Sequence, residues 1–145
     1  MVNKVQSQYK KGAPSDVLRD DEERIIVGGP LYPDLLNKID SCSVRPVTLR
    51  TDDFMAIHRV DLNDLRTYAK LALETGRYVN SQWCNGNAPK GIFACDSYTV
   101  SASVYSPKDR EMIMCVVYVK LCLTDTGNTV AVISLHESTK PKEKS

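Results

Sequence analysis

Two short segments near the C-terminus carry the side chains best suited to chemistry. Tyr118 and Lys120 stand two residues apart in Met112–Leu123, and Ser134 and His136 stand two apart in Thr129–His136. Histidine titrates nearest neutrality and can give or take a proton. A lysine on a strand is a fixed cation suited to a phosphate, and a tyrosine supplies a ring and a hydroxyl. Together they would supply a proton carrier, a hydroxyl and a cation for work on a phosphate. The plainer alternatives are that His136 is a hydrogen-bonded strand-end residue and that Lys120 reaches water along a solvated face.

Those four side chains meet only if strands hold them on one face. Ile113, Cys115, Val117, Val119, Leu121 and Leu123 are all apolar, with Tyr118 and Lys120 between them, so alternation predicts a strand with a buried odd face. In the next segment Ala131, Ile133 and Leu135 alternate with Ser134 and His136. A three-residue loop, Asp125-Thr126-Gly127, predicts a hairpin that sets Val119 opposite Ile133 and Tyr118 opposite Ser134. Ile92 to Tyr105 alternates as well. If Tyr105 pairs with Met112 across the polar loop at Pro107, then Thr99 lies beside Tyr118 and Ser101 beside Val116. The expected polar face holds Ser97, Thr99, Ser101, Tyr118, Lys120, Ser134 and His136. Tyr118, Lys120 and His136 are the candidate catalytic residues. Thr99, Ser101 and Ser134 are candidates for substrate binding, as is Trp83 as a stacking platform; the commoner role of such a tryptophan is to plug a core edge.

The rest of the chain must build a scaffold for that face. Leu62, Leu65, Ala69, Ala72 and Leu73 form a helical stripe, with Asp61 as N-cap, Asp64 in the first turn and Gly76 at the C-cap. This main helix, 61–75, is expected to cover the odd face, with Lys70 and Glu74 paired outside. Arg24–Val27 reads as a short strand, Pro33–Ile39 as a short helix, Arg45–Arg50 as a strand or connector, and Tyr78–Asn87 as a turn-rich loop. The expectation is an α+β fold: an antiparallel sheet of three to five strands with one main helix on one face. Residues 1–24 read as a polar arm, helical over Ser15–Glu23 or simply solvated, 25–138 as a single domain, and 139–145 as a disordered tail.

Composition excludes some classes. The chain has 145 residues and a net charge of +1, so it lacks the strong basic footprint of a dedicated nucleic-acid binder. No apolar run approaches the ~20 residues of a membrane span, and no signal peptide opens the sequence. Five cysteines without a CxxC pair point to a reducing, cytoplasmic setting. Neither Cys95 and Cys122, expected side by side, nor His58 has zinc-ligand spacing, so no metal and no cofactor is expected. Gly28-Gly29 lacks the lysine of a phosphate loop.

The run Tyr118-Val119-Lys120-Leu121 … Gly127-Asn128-Thr129-Val130-Ala131-Val132-Ile133-Ser134-Leu135-His136-Glu137 resembles the closing hairpin of the RelE/MqsR-like ribonuclease toxins. The resemblance implies a helix on an antiparallel sheet whose open face cleaves RNA without metal. Lys120 would hold the phosphate, His136 would exchange the proton, and Tyr118 would orient a base or the ribose. The implied partners are RNA and an antitoxin protein. The competing expectation is a non-enzymatic protein-binding or regulatory module that uses the sheet face or the N-terminal arm. A small-molecule pocket between helix and sheet is the third.

Overall fold

The computed structural model describes residues 4–15, 18–19, 24–87 and 90–138. In chain order they form β1 (Arg24–Ile26), α1 (Leu35–Lys38) with a 3-10 turn (Ile39–Ser41), β2 (Ser43–Pro46), α2 (Leu49–Ile57), α3 (Leu62–Thr75), β3 (Arg77–Asn87), β4 (Lys90–Ser106), β5 (Glu111–Leu123) and β6 (Thr129–Glu137). The fold is α+β. The sheet has six strands in the order β1-β3-β4-β5-β6-β2. It is mixed: β2 runs parallel to β6, and the other neighbours are antiparallel. Three to five antiparallel strands and one main helix therefore fall short of six strands, one parallel pairing and three α-helices among the described residues. No helix among these residues is long and apolar enough to cross a membrane.

Two of the unexpected elements have identifiable causes. The stretch Tyr78–Asn87 is not a loop; it pairs with β4 along its length, from Arg77↔Thr99 to Asn87↔Lys90. Its Asn and Gly residues disfavour strands only weakly, and a long partner overrides them. The helix α2 buries only Thr51 and Phe54, so its sequence shows no apolar stripe. Its start is marked instead by Thr48, whose side chain accepts the Thr51 amide at 3.2 Å.

The helix α3 starts where its caps require. Asp61 accepts the Asp64 amide at 2.8 Å and Asp64 accepts the Asp61 amide at 3.0 Å, a reciprocal box. Its C-cap is Gly76, as expected. Gly76 is extended (φ −72°), not left-handed. Glycine is needed there because a Cβ would collide with the Ala72 carbonyl oxygen. Lys70 pairs with Asp40 at 2.9 Å rather than with Glu74. Leu65, Tyr68, Ala69 and Ala72 are buried, in one core with Val100, Ala102 and Val104 of β4, Val117, Val119 and Leu121 of β5, and Leu135 of β6. Alternation thus assigns the odd residues of β5 to the helix side.

The register of β4 on β5 is the expected one: Tyr105↔Met112, Thr99↔Tyr118, Ser101↔Val116. The register of β5 on β6 is not. Tyr118 lies opposite His136 and Lys120 opposite Ser134, but Leu121 lies opposite Val132. Ile133 is the extra residue of a bulge. Its carbonyl accepts the hydroxyls of Thr48 at 2.8 Å and Thr51 at 3.1 Å. The bulge switches the alternation of β6, so Val130 and Val132 share the helix face with Leu123 and Leu121, and Ala131 turns to the other.

The N-terminal arm is not a solvated tail over the residues described. Below Asp96↔Leu121 no further β4–β5 pair forms, and residues 4–8 enter there. Val5 bridges Ile92 and Ser7 bridges Thr124. The Gln6 amide bonds the Ile92 carbonyl at 2.9 Å and the Gln8 amide bonds the Leu123 carbonyl at 2.8 Å. Leu18 is buried beside Trp83, Ile92 and Ala94. Most of the expected helix over 15–23, and the tail 139–145, lie outside the described residues.

Candidate functional site

The face turned away from α3 divides into two halves. At the lower end, near the β5–β6 turn, the sheet curls: β3 and β6 touch although two strands separate them. The Asn87 amide bonds the Val47 carbonyl at 2.8 Å. Phe93, Cys95, Cys122, Ala131 and Gln82, on that face, are buried in consequence. At the upper end Ser101, Ser103, Met112, Met114 and Val116 are exposed.

At the join of the two halves, one row crosses four strands: Arg77 (β3), Thr99 (β4), Tyr118 (β5) and His136 (β6) are successive cross-strand partners. Cross-strand partners share a face, so all four side chains project to the same side. The rings of Tyr118 and His136 stack at 4.9 Å and 18°. His136 Nδ1 lies 2.9 Å from the Glu137 carbonyl oxygen. A carbonyl can only accept, so Nδ1 carries the proton and neutral His136 presents Nε2 as its basic nitrogen.

One step deeper runs a second row, Asn80, Ser97, Lys120 and Ser134. Lys120 is only 8% exposed. Its Nζ lies 5.7 Å from the centre of the Tyr118 ring, under the first row. Next to it are three thiols. A hydrogen bond to Cys95, then burial, holds the Cys84 thiol well above its ordinary pKa. Burial, then a hydrogen bond with Cys122, does the same for Cys95. Both are protonated at neutral pH and are poor nucleophiles. All five cysteines are free thiols. Among the described residues no group of three or more His, Cys, Asp or Glu could hold a metal.

The structure therefore gathers Tyr118, Lys120, His136, Thr99 and Ser134 in two adjacent rows, with exposed Ser101 just above. Trp83 is not with them. It pairs with Ala94, on the opposite face, and is 4% exposed against Tyr9, whose ring centre is 6.3 Å away. His58 is also elsewhere: its ring packs against Phe54 at 4.1 Å, tilted by 34°, and its Nδ1 meets the Tyr105 carbonyl oxygen at 2.8 Å.

Arg77 and Asn80 of these rows, and Gln82 further along β3, were not foreseen on this face. Their common face is set by a bulge, since the β3 register shifts between Tyr78 and Asn80. Val79 is the extra residue, and it puts Arg77 on the same side as Asn80 and Gln82. No alternation in the sequence shows this. Comparison of the chain with protein-family models, with curated proteins and with solved structures finds no match.

Proposed function

We propose that this protein is a metal-independent endoribonuclease that works at the Arg77–Thr99–Tyr118–His136 row. The observation that carries this reading is the direct pairing of Tyr118 with His136, rings stacked at 4.9 Å, at the edge of an open sheet face. His136 Nε2 takes the proton of a ribose 2′-hydroxyl. The 2′-oxygen closes on the phosphorus, the bond to the 5′-oxygen breaks, and that oxygen takes up a proton. The products are a 2′,3′-cyclic phosphate and a 5′-hydroxyl. Tyr118 fixes the His136 ring and stacks on the substrate. The exposed guanidinium of Arg77 faces the phosphate from the far end of the row. Lys120, beneath, adds positive charge in a site where water is scarce.

The test is incubation of the pure protein with single-stranded RNA in the presence of a chelator. Cleavage leaving 2′,3′-cyclic ends is expected, and His136→Ala is expected to lose about 100-fold or more of it with its circular dichroism unchanged. Intact RNA after long incubation would remove this reading.

A second reading has its own observation. Met112, Met114 and Val116 form an exposed apolar stripe on the same face, with Met114 69% exposed. Such a stripe fits a protein partner covering the upper half of the sheet, in a binding or regulatory module or as the antitoxin of a nuclease. Because residues 4–8 are engaged in their own sheet, the sheet face is the surface to test. Met114→Lys is expected to abolish co-purification of a partner; retention of every partner would count against this reading.

A further inference from the structure

Among the described residues, three buried side-chain atoms have no hydrogen-bond partner: Asn80 Oδ1, Gln82 Oε1 and Ser97 Oγ. They are neighbours. Asn80 and Ser97 are cross-strand partners, and Gln82 is two residues along β3 on the same face. Ser97 is 0% exposed and Gln82 1%. A buried polar atom with no partner costs about 1–3 kcal/mol, so native proteins rarely keep one without a use. The three lie side by side below Arg77 and Thr99, with Tyr118 and Lys120 on the next strand, and make a cluster of unpaired polar atoms beside an aromatic ring.

Resting on the ribonuclease reading, we infer that this row is the base-recognition subsite of the enzyme and that it selects nucleobases bearing an exocyclic amine. Asn80 is half-buried and forms the mouth, with its Oδ1 turned inward. An amino group entering there donates to Asn80 Oδ1 and to Ser97 Oγ. Residues two apart on one strand face are about 7 Å apart, so one water bridges from there to Gln82 Oε1. Tyr118, on the strand next to Ser97, stacks on the base with the ring face that His136 does not cover, and the adjoining ribose lies toward His136 Nε2. Adenine and cytosine have the amine; uracil has a carbonyl at that position and leaves the acceptors unpaired. A site whose buried groups stay unpaired rejects a ligand far more strongly than one that merely fits it poorly.

Binding and cleavage of hexamers of adenosine, cytidine and uridine test this, with wild type, Ser97→Ala and Asn80→Ala. The wild type is expected to prefer the adenosine and cytidine hexamers to the uridine hexamer by about tenfold or more. Ser97→Ala, which deletes a buried hydroxyl of small volume, is expected to fold as well as wild type and to lose most of that preference. Asn80→Ala, at the mouth, checks the same loss independently. Cleavage of all three hexamers alike overturns the subsite and leaves the ribonuclease standing. A preference that survives both substitutions also overturns it, because the base is then read elsewhere. No binding or cleavage of any hexamer removes both.

Discussion

Asp96 and Ser97 are consecutive in β4, both wholly buried, and they point to opposite sides of the sheet. Their surroundings are opposites too. The Asp96 carboxylate accepts the Leu31 amide at 2.9 Å, the Tyr32 amide at 3.1 Å and the Ser81 hydroxyl at 2.6 Å. Ser81 is held in turn by the Tyr78 hydroxyl at 2.6 Å. Gly29 packs so tightly here that a Cβ would collide with both hydroxyls. Ser97, with Asn80 and Gln82, has no such partners. A satisfied polar network specifies and stiffens a fold, whereas an unsatisfied one costs stability. One side of these two strands ties the loop before α1 to the sheet; the other gives up stability where the proposed site lies.

Breaking the satisfied side should have the largest effect. Asp96→Ala leaves two amides and a hydroxyl buried without an acceptor and is expected to cost about 3–5 kcal/mol in urea unfolding. A cost below about 1 kcal/mol would mean the carboxylate does not anchor the loop. Alkaline pH probes the same side. Burial first, then the Asp96 carboxylate and Tyr78, push Tyr98 up to about 12 from 10.0. Between those values the unfolded chain releases a proton that the folded one retains. The stability present below pH 10.0 is therefore lost as pH rises through about 12. Ultraviolet titration should show Tyr98 ionising late, and unfolding midpoints should fall over that range; a flat midpoint would contradict the assignment. Tyr78→Phe removes one hydroxyl from the network and is expected to cost about 1 kcal/mol. Ser97→Ala is the smallest change, within about 0.5 kcal/mol of wild type and on the stabilising side, since its hydroxyl bonds nothing in the fold. A loss of 2 kcal/mol there would erase the contrast.

Much of the scaffold could be read from residue types. The alternation in β4 and β5 fixed their register, since any one-residue slip buries Lys120's neighbours wrongly. Asp61 and Asp64 fixed the start of α3. The two bulges could not be read, because Val79 and Ile133 are ordinary strand residues and only tertiary pairing makes either one extra. That is why Asn80 and Gln82 were missed; the Ile133 bulge, together with a turn one residue longer than the expected Asp125-Thr126-Gly127 loop, is why Tyr118 meets His136 rather than Ser134. The depth of Lys120 was equally hidden: alternation gives its side of the sheet, but curl decides how far water reaches.

The insertion of residues 4–8 between Ile92 and Thr124 has a consequence for biosynthesis. Residues 4–8 dock into a slot whose second wall is made more than a hundred residues later. Loop closure over that span is slow and costly. On the ribosome residues 4–8 must wait undocked until Thr124 has emerged, and the arm then acts as a latch between β4 and β5.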